Sequence, residues 1–143
     1  MLATAACGKT TSGGVATNAP TATATAAPVA AGSAVCPGRP SPLNDHGTAT
    51  ASGRNITIEA GDFFFAPSCE RGAPASSTIT LTVHNSGQAL HNVSFPDQGI
   101  DTDVAPGQTV TVNVKIDGAG TYAFFCKYHR TSGMAGVLVA GGS

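Results

Sequence analysis

The chain is short of charge, of methionine and of any long apolar run. Charged residues make up 10% of 143 positions and the formal net charge is −1. That balance gives no bulk electrostatic attraction to nucleic acid or to an anionic membrane surface. No run of eighteen or more apolar residues is present, so the sequence predicts no transmembrane helix. There are two methionines, and one is Met1, which leaves little for a thioether-rich site. Of the four cysteines, Cys7, Cys36, Cys69 and Cys126, no two form a C-x-x-C pair. This argues against a zinc ribbon or a thioredoxin-type motif. No convincing amphipathic helix can be found.

What is present divides into two parts. Residues 8–34, "GKTTSGGVATNAPTATATAAPVAAGSA", are Ala, Thr, Gly, Ser and Pro with almost nothing large enough for a core. This composition predicts a disordered, flexible tether, spanning about 30 Å as a coil. Before it, "MLATAAC" resembles the end of a bacterial lipoprotein signal, with Cys7 as the lipidated residue. Residues 1–7 are thus read as the remnant of such a signal, although Thr4 replaces the usual aliphatic residue. A lipid at Cys7 would be the only link to a membrane, and it implies a bacterial cell envelope, on its periplasmic or extracellular face.

Residues 35–143 are read as one domain. "NITIEA", "STITLTVHN", "HNVSF", "QTVTVNVKI", "GTYAFF" and "AGVLVA" alternate apolar and polar residues or run apolar, with Gly- and Pro-containing breaks between them. In "STITLTVHN", Ile79, Leu81 and Val83 share one face and Thr80, Thr82 and His84 the other. About seven antiparallel strands in a Greek-key β-sandwich follow, an all-β fold. Cys69 falls in a loop, and Cys36 where the tether ends. A disulfide between them would pin the loose segment to the sandwich.

The C-terminal "FFCKYHRTSGMAG" places Cys126, His129 and Met134 in one loop between strands. Gly133 and Gly136 bracket Met134 and permit sharp turns. His91, at the start of a strand upstream, is the natural source of a further ligand. Hard cations want oxygen, and structural zinc rarely takes methionine. Two imidazoles, a thiolate and a weak thioether form a blue-copper set. A Cys126–His129 catalytic pair has no visible orienting group or oxyanion hole, so no enzyme is expected. His84 and His46 are read as solvated surface histidines, and Phe63–Phe65 as core packing.

These residues carry a resemblance. Residues 55–143 resemble a cupredoxin of the plastocyanin and amicyanin branch. The likeness lies in the C-x₂-H-x₄-M spacing, in "VHNSGQALHNVSF" and in "VAPGQTVTV". It implies one copper per chain, with His91, Cys126 and His129 equatorial and Met134 axial. It also implies a supporting role for Asn92 and an apolar shell from Phe95, Phe124 and Phe125. The function implied is one-electron transfer by a monomer. Redox protein donors and acceptors would dock transiently near His129, where Lys127 and Arg130 would favour an acidic partner. Copper storage or delivery is the alternative, and a purely structural sandwich is a third. In "CERGAPASSTI" the chain departs from the family's usual short turn.

Overall fold

The computed structural model describes residues 36–141. The signal remnant at 1–7, the tether at 8–34 and the lipidation of Cys7 fall outside the described residues.

Alternation builds the strands. β5 (Ser77–Asn85) buries every second residue from Ile79 to Asn85, and β8 (Thr109–Ile116) buries Val112, Val114 and Ile116. Between them and β2 (Asn55–Gly61) a sheet forms in the order β3-β2-β5-β8, where β3 is Phe64–Ala66. The second sheet runs β1-β4-β10-β9-β6-β7. Its strands are β1 (Thr48–Thr50), β4 (Cys69–Ala73), β6 (His91–Phe95), β7 (Ile100–Val104), β9 (Gly120–Phe125) and β10 (Ala135–Ala140). Two short 3₁₀ turns, Pro96–Gln98 and Arg130–Ser132, complete the described elements.

The fold is the all-β sandwich that the pattern predicts, with two differences. First, ten strands are present among the described residues, and the pairing is mixed. β2 runs parallel to β5, and β4 runs parallel to both β1 and β10. These partners are far apart in sequence, joined by long crossings rather than tight hairpins, and parallel pairing requires such crossings. Second, Cys69 lies in a strand, not a loop. "CERGA" is inserted between β1 and β10, and it has neither the alternation nor the apolar run that marks a strand.

The inner faces meet in one core. Ile56, Ile58, Ile79, Leu81, Val83, Val114 and Ile116 from one sheet pack with Val93, Phe95, Val104, Phe124 and Leu138 from the other. Cys126 and Met134 belong to the same cluster. A smaller cluster of Cys36, Cys69, Val137 and Val139 lies on the far face of β4 and β10. It is closed by the Cys36–Cys69 disulfide, with a Cα–Cα distance of 6.2 Å.

Candidate metal centre

Three elements bring the predicted ligands to one end of the core. On β6, period two puts His91 on the face of Val93 and Phe95, so its imidazole enters the core at the strand's first residue. The turn before it is shaped by the buried Asn85. The Asn85 amide donates to the carbonyls of Ala89 (2.9 Å) and Val104 (2.8 Å), and its oxygen accepts the Gly87 N–H at 2.9 Å. β9 delivers Cys126. The loop then folds back through the Arg130–Ser132 turn, with Gly133 left-handed at φ 83°. Cys126 N–H donates to the Met134 carbonyl (2.9 Å), and Met134 N–H donates to the His129 carbonyl (3.2 Å). At Gly136, by contrast, the absent side chain makes room for the Phe124 ring rather than for a turn.

His91, Cys126 and Met134 are fully buried, and His129 is partly exposed. His91 Nδ1 lies 3.3 Å from His129 Nδ1, and Cys126 Sγ lies 3.5 Å from His129 Nδ1. All three donor atoms fall within 4.8 Å of one another. Bonds of about 2.0–2.1 Å to nitrogen and about 2.3 Å to sulfur, meeting near the tetrahedral angle, separate such donors by about 3.3–3.6 Å. Both observed separations lie in that range, so the donor set fits a single soft or borderline metal ion.

A carboxylate that the sequence reading did not single out completes the arrangement. Asp62, in the turn between β2 and β3, accepts from His91 Nε2 at 2.9 Å and from the backbone N–H groups of Gln88 (2.8 Å) and Ala89 (3.2 Å). The two backbone donors hold its carboxyl below the ordinary range, with a smaller contribution from His91. An ionised Asp62 only accepts, so Nε2 carries the proton and Nδ1 presents its lone pair to the cluster. Burial pushes the His91 pKa down and Asp62 partly opposes it. Burial likewise pushes the Cys126 thiol up, against the backbone N–H groups of Tyr128, His129 and Asn92, which favour the thiolate.

Asn92 sits on the outer side of β6. Its oxygen accepts from Ser94 Oγ at 2.5 Å and from Lys127 N–H at 3.5 Å. Its amide donates to Asp101 (2.6 Å) and Asp103 (2.9 Å). Those carboxylates also hold Lys127 Nζ at 2.7 and 3.0 Å, and Asp103 accepts from Tyr128 Oη at 2.8 Å. The network ties the two residues between Cys126 and His129 to β7. It raises the Lys127 pKa well above its ordinary value. Lys127 is therefore charge-compensated, and the expected basic flank on His129 reduces to Arg130, whose guanidinium lies 4.2 Å over the Phe125 ring.

Phe95 and Phe124 join Phe65 in a buried aromatic stack with centroids 5.0–5.2 Å apart. Phe125 does not join it. Strand alternation turns it to the opposite face from Phe124, under Arg130. The triplet read as core packing also divides. Phe65 is buried, Phe64 stacks on His46 at 3.6 Å, and the exposed Phe63 lies 4.2 Å from the His129 ring. His84 is no part of the cluster; its Nδ1 meets Thr109 Oγ1 at 2.9 Å.

The cupredoxin-like domain family matches residues 41–140. This chain is a cupredoxin. It is 34% identical over 75 residues to plastocyanin of Vicia faba, an alignment spanning 43% of this chain and 74% of that protein. To chloroplastic plastocyanin of Pisum sativum it is 32% identical over 90 residues, 53% of this chain and 51% of that one. The cupredoxin thus spans about half the length of the pea protein. Among solved structures it is similar to reduced auracyanin from the photosynthetic bacterium Roseiflexus castenholzii. There the TM-score is 0.53 at 20% identity, covering 62% of this chain and 98% of that one. It is also similar to the metal-binding domain, with Cu(I), of the Cu(I)-exporting P-type ATPase CopA of Streptococcus pneumoniae D39. The TM-score is 0.57 at 14% identity, over 68% and 98% of the two chains. At these identities both likenesses bear on the fold.

Proposed function

We propose that this cupredoxin carries single electrons on one copper ion, held by His91, Cys126 and His129 with Met134 as the weak axial ligand. The observation that carries the reading is the convergence of two Nδ1 atoms and one thiol at metal-ligand separations, at the buried end of a rigid sandwich. When bound, copper supplies a Cu(I)/Cu(II) couple suited to this mixed nitrogen and sulfur set.

The chain's own residues do the rest. Asp62 and the Asn85 turn hold His91 in one tautomer and orientation. The network from Asn92 to Lys127 and Tyr128 fixes the ligand loop to β7, so donors need little movement between oxidation states. The stack of Phe65, Phe95 and Phe124 keeps water out from below. With the Met134 thioether as a fourth donor, the shell would leave no position for a substrate, which favours a carrier over an enzyme.

Electrons would enter and leave at His129. The large apolar side chains most exposed among the described residues are Phe63, Leu90 and Tyr128, and each adjoins a histidine ligand in space or in sequence. Exposed apolar side chains beside His129, namely Phe63 and Tyr128, suit brief encounters with protein donors and acceptors by a monomer. With Lys127 matched by Asp101 and Asp103, charge gives little preference for an acidic partner. No helix among the described residues is long and apolar enough to cross a membrane. Placement in a bacterial cell envelope, with Cys7 as a lipid anchor, is part of the same proposal.

The test is a reversible redox titration of the copper-loaded chain. The expected result is an intense visible band from thiolate to Cu(II) that bleaches and returns with a one-electron couple, and that disappears in Cys126→Ser. A colourless, labile complex would support storage or delivery instead. A band that survives Cys126→Ser would refute the ligand assignment.

A further inference from the structure

Residues 36–47 form a strap that belongs to neither sheet. At one end the disulfide joins Cys36 to Cys69 of β4; at the other the chain enters β1. In between, it reaches the ligand loop. Asn44 N–H donates to the Gly133 carbonyl at 2.8 Å, and the Asn44 amide donates to the Phe63 carbonyl at 3.2 Å. The peptide between Gly133 and Met134 also donates its N–H to the His129 carbonyl. It is therefore held from both sides, by His129 at its nitrogen and at its oxygen by the strap together with the adjacent Ala135 N–H (2.9 Å).

The contact is close. A Cβ at Gly133 would lie 2.6 Å from Asn44 N and 3.1 Å from Leu43 C. Gly133 is thus required by its left-handed φ and by the strap pressed against it. The strap has its own locks. Arg39 pairs with Asp45 at 2.6 Å. His46 N–H donates to Ser68 Oγ at 2.8 Å, and the Gly47 carbonyl accepts the N–H groups of Ser68 and Cys69 at 3.1 Å each.

We propose that this disulfide-pinned strap is a positioning element of the metal centre. Through Asn44 it fixes the Gly133–Met134 peptide, and with it the place of the Met134 thioether. This rests on the copper reading above. The axial ligand of such a site tunes its reduction potential, so a backbone bond that sets the ligand's peptide acts on that potential without touching the metal.

The test uses the full chain with Asn44→Pro, which removes the backbone donor, and the double variant Cys36→Ala/Cys69→Ala, which unpins the strap. Asn44→Ala keeps the backbone donor and serves as the control. In the metal-free protein, amide exchange at Met134, taken relative to that of the β5 amides, is expected to rise tenfold or more in the first two. In the copper form the same two are expected to shift the relative affinity for the two oxidation states at least threefold, read as a changed reduction potential. Asn44→Ala loses only the amide bond to Phe63 and is expected to change both by less than half as much as Asn44→Pro. Where Asn44→Pro does not fold, the double variant decides. Unchanged exchange at Met134 together with an unchanged potential would overturn the proposal. A wild-type chain that takes up no copper overturns the copper reading instead, and the exchange rates still decide whether strap and loop are coupled.

Discussion

A single imidazole shows how much of the centre is set by one neighbour. His91 has two ring nitrogens and only Nδ1 faces the other donors. Asp62 at Nε2 makes that choice, and Gly87 permits it, because a Cβ there would collide with the Asp62 carboxylate. Replacing Asp62 by Ala frees the tautomer and releases the Gln88 and Ala89 N–H groups. The expected result is a loss of about 10–100-fold in copper affinity, measured by competition with a chelator. The urea midpoint should move little, since Asp62 is near the surface. The sequence displays the ligands themselves because C-x₂-H-x₄-M is compact and local. It does not display Asp62. That residue lies 29 positions from His91, in a turn at the edge of the other sheet, so only the packing of the two sheets brings them together. Phe63 is hidden for the same reason, and its place over His129 needs the turn after β2 to be known.

Among the elements, those with a clear alternation or an apolar run are readable, including the fully buried β6 and β10, and β4, with neither, is not. β5 and β8 announce themselves through strict alternation of Ile, Leu and Val with Thr, Asn and Lys. β4 carries Cys69, Glu70 and Arg71 in succession and offers no such pattern, yet it holds the centre of the β1-β4-β10 array. The turn from β5 to β6 is intermediate. Asn-Ser-Gly marks a break, while the use made of Asn85 does not follow from it. Asn85 is buried and its side chain satisfies two carbonyls and one N–H. Truncation to Ala takes the side-chain donor from both carbonyls and leaves the Gly87 N–H only its longer bond to the Ala60 carbonyl (3.3 Å), at a cost of about 1–3 kcal/mol. A lower urea midpoint at unchanged slope is the expected signature. Because the turn delivers His91, copper affinity should fall with it.

At the scale of the whole molecule, the sandwich carries one misplaced charge, and stability should report it. Glu70 pairs in register with Leu138 of β10, a core residue, and is itself only 7% exposed. Burial pushes its carboxyl from the ordinary 4.5 up to about 7, with no neighbouring cation or hydrogen bond offsetting it. The folded state therefore holds this proton more tightly than the unfolded chain does. Stability from Glu70 is fully present below about pH 4.5, falls as pH rises through that interval, and is lost above about pH 7. The swing is about 1–3 kcal/mol at roughly 1.4 kcal/mol per unit, allowing for residual solvent. Glu70→Gln keeps the shape and removes the titration. Its expected effect is read as the difference between variant and wild type, in which the opposing slope from His91 cancels: the variant is more stable at pH 8 and close to wild type at pH 5. Urea unfolding of the metal-free chain across that range measures it directly. A variant no more stable than wild type at pH 8, or less stable, would mean that the Glu70 carboxylate finds a partner in the folded protein.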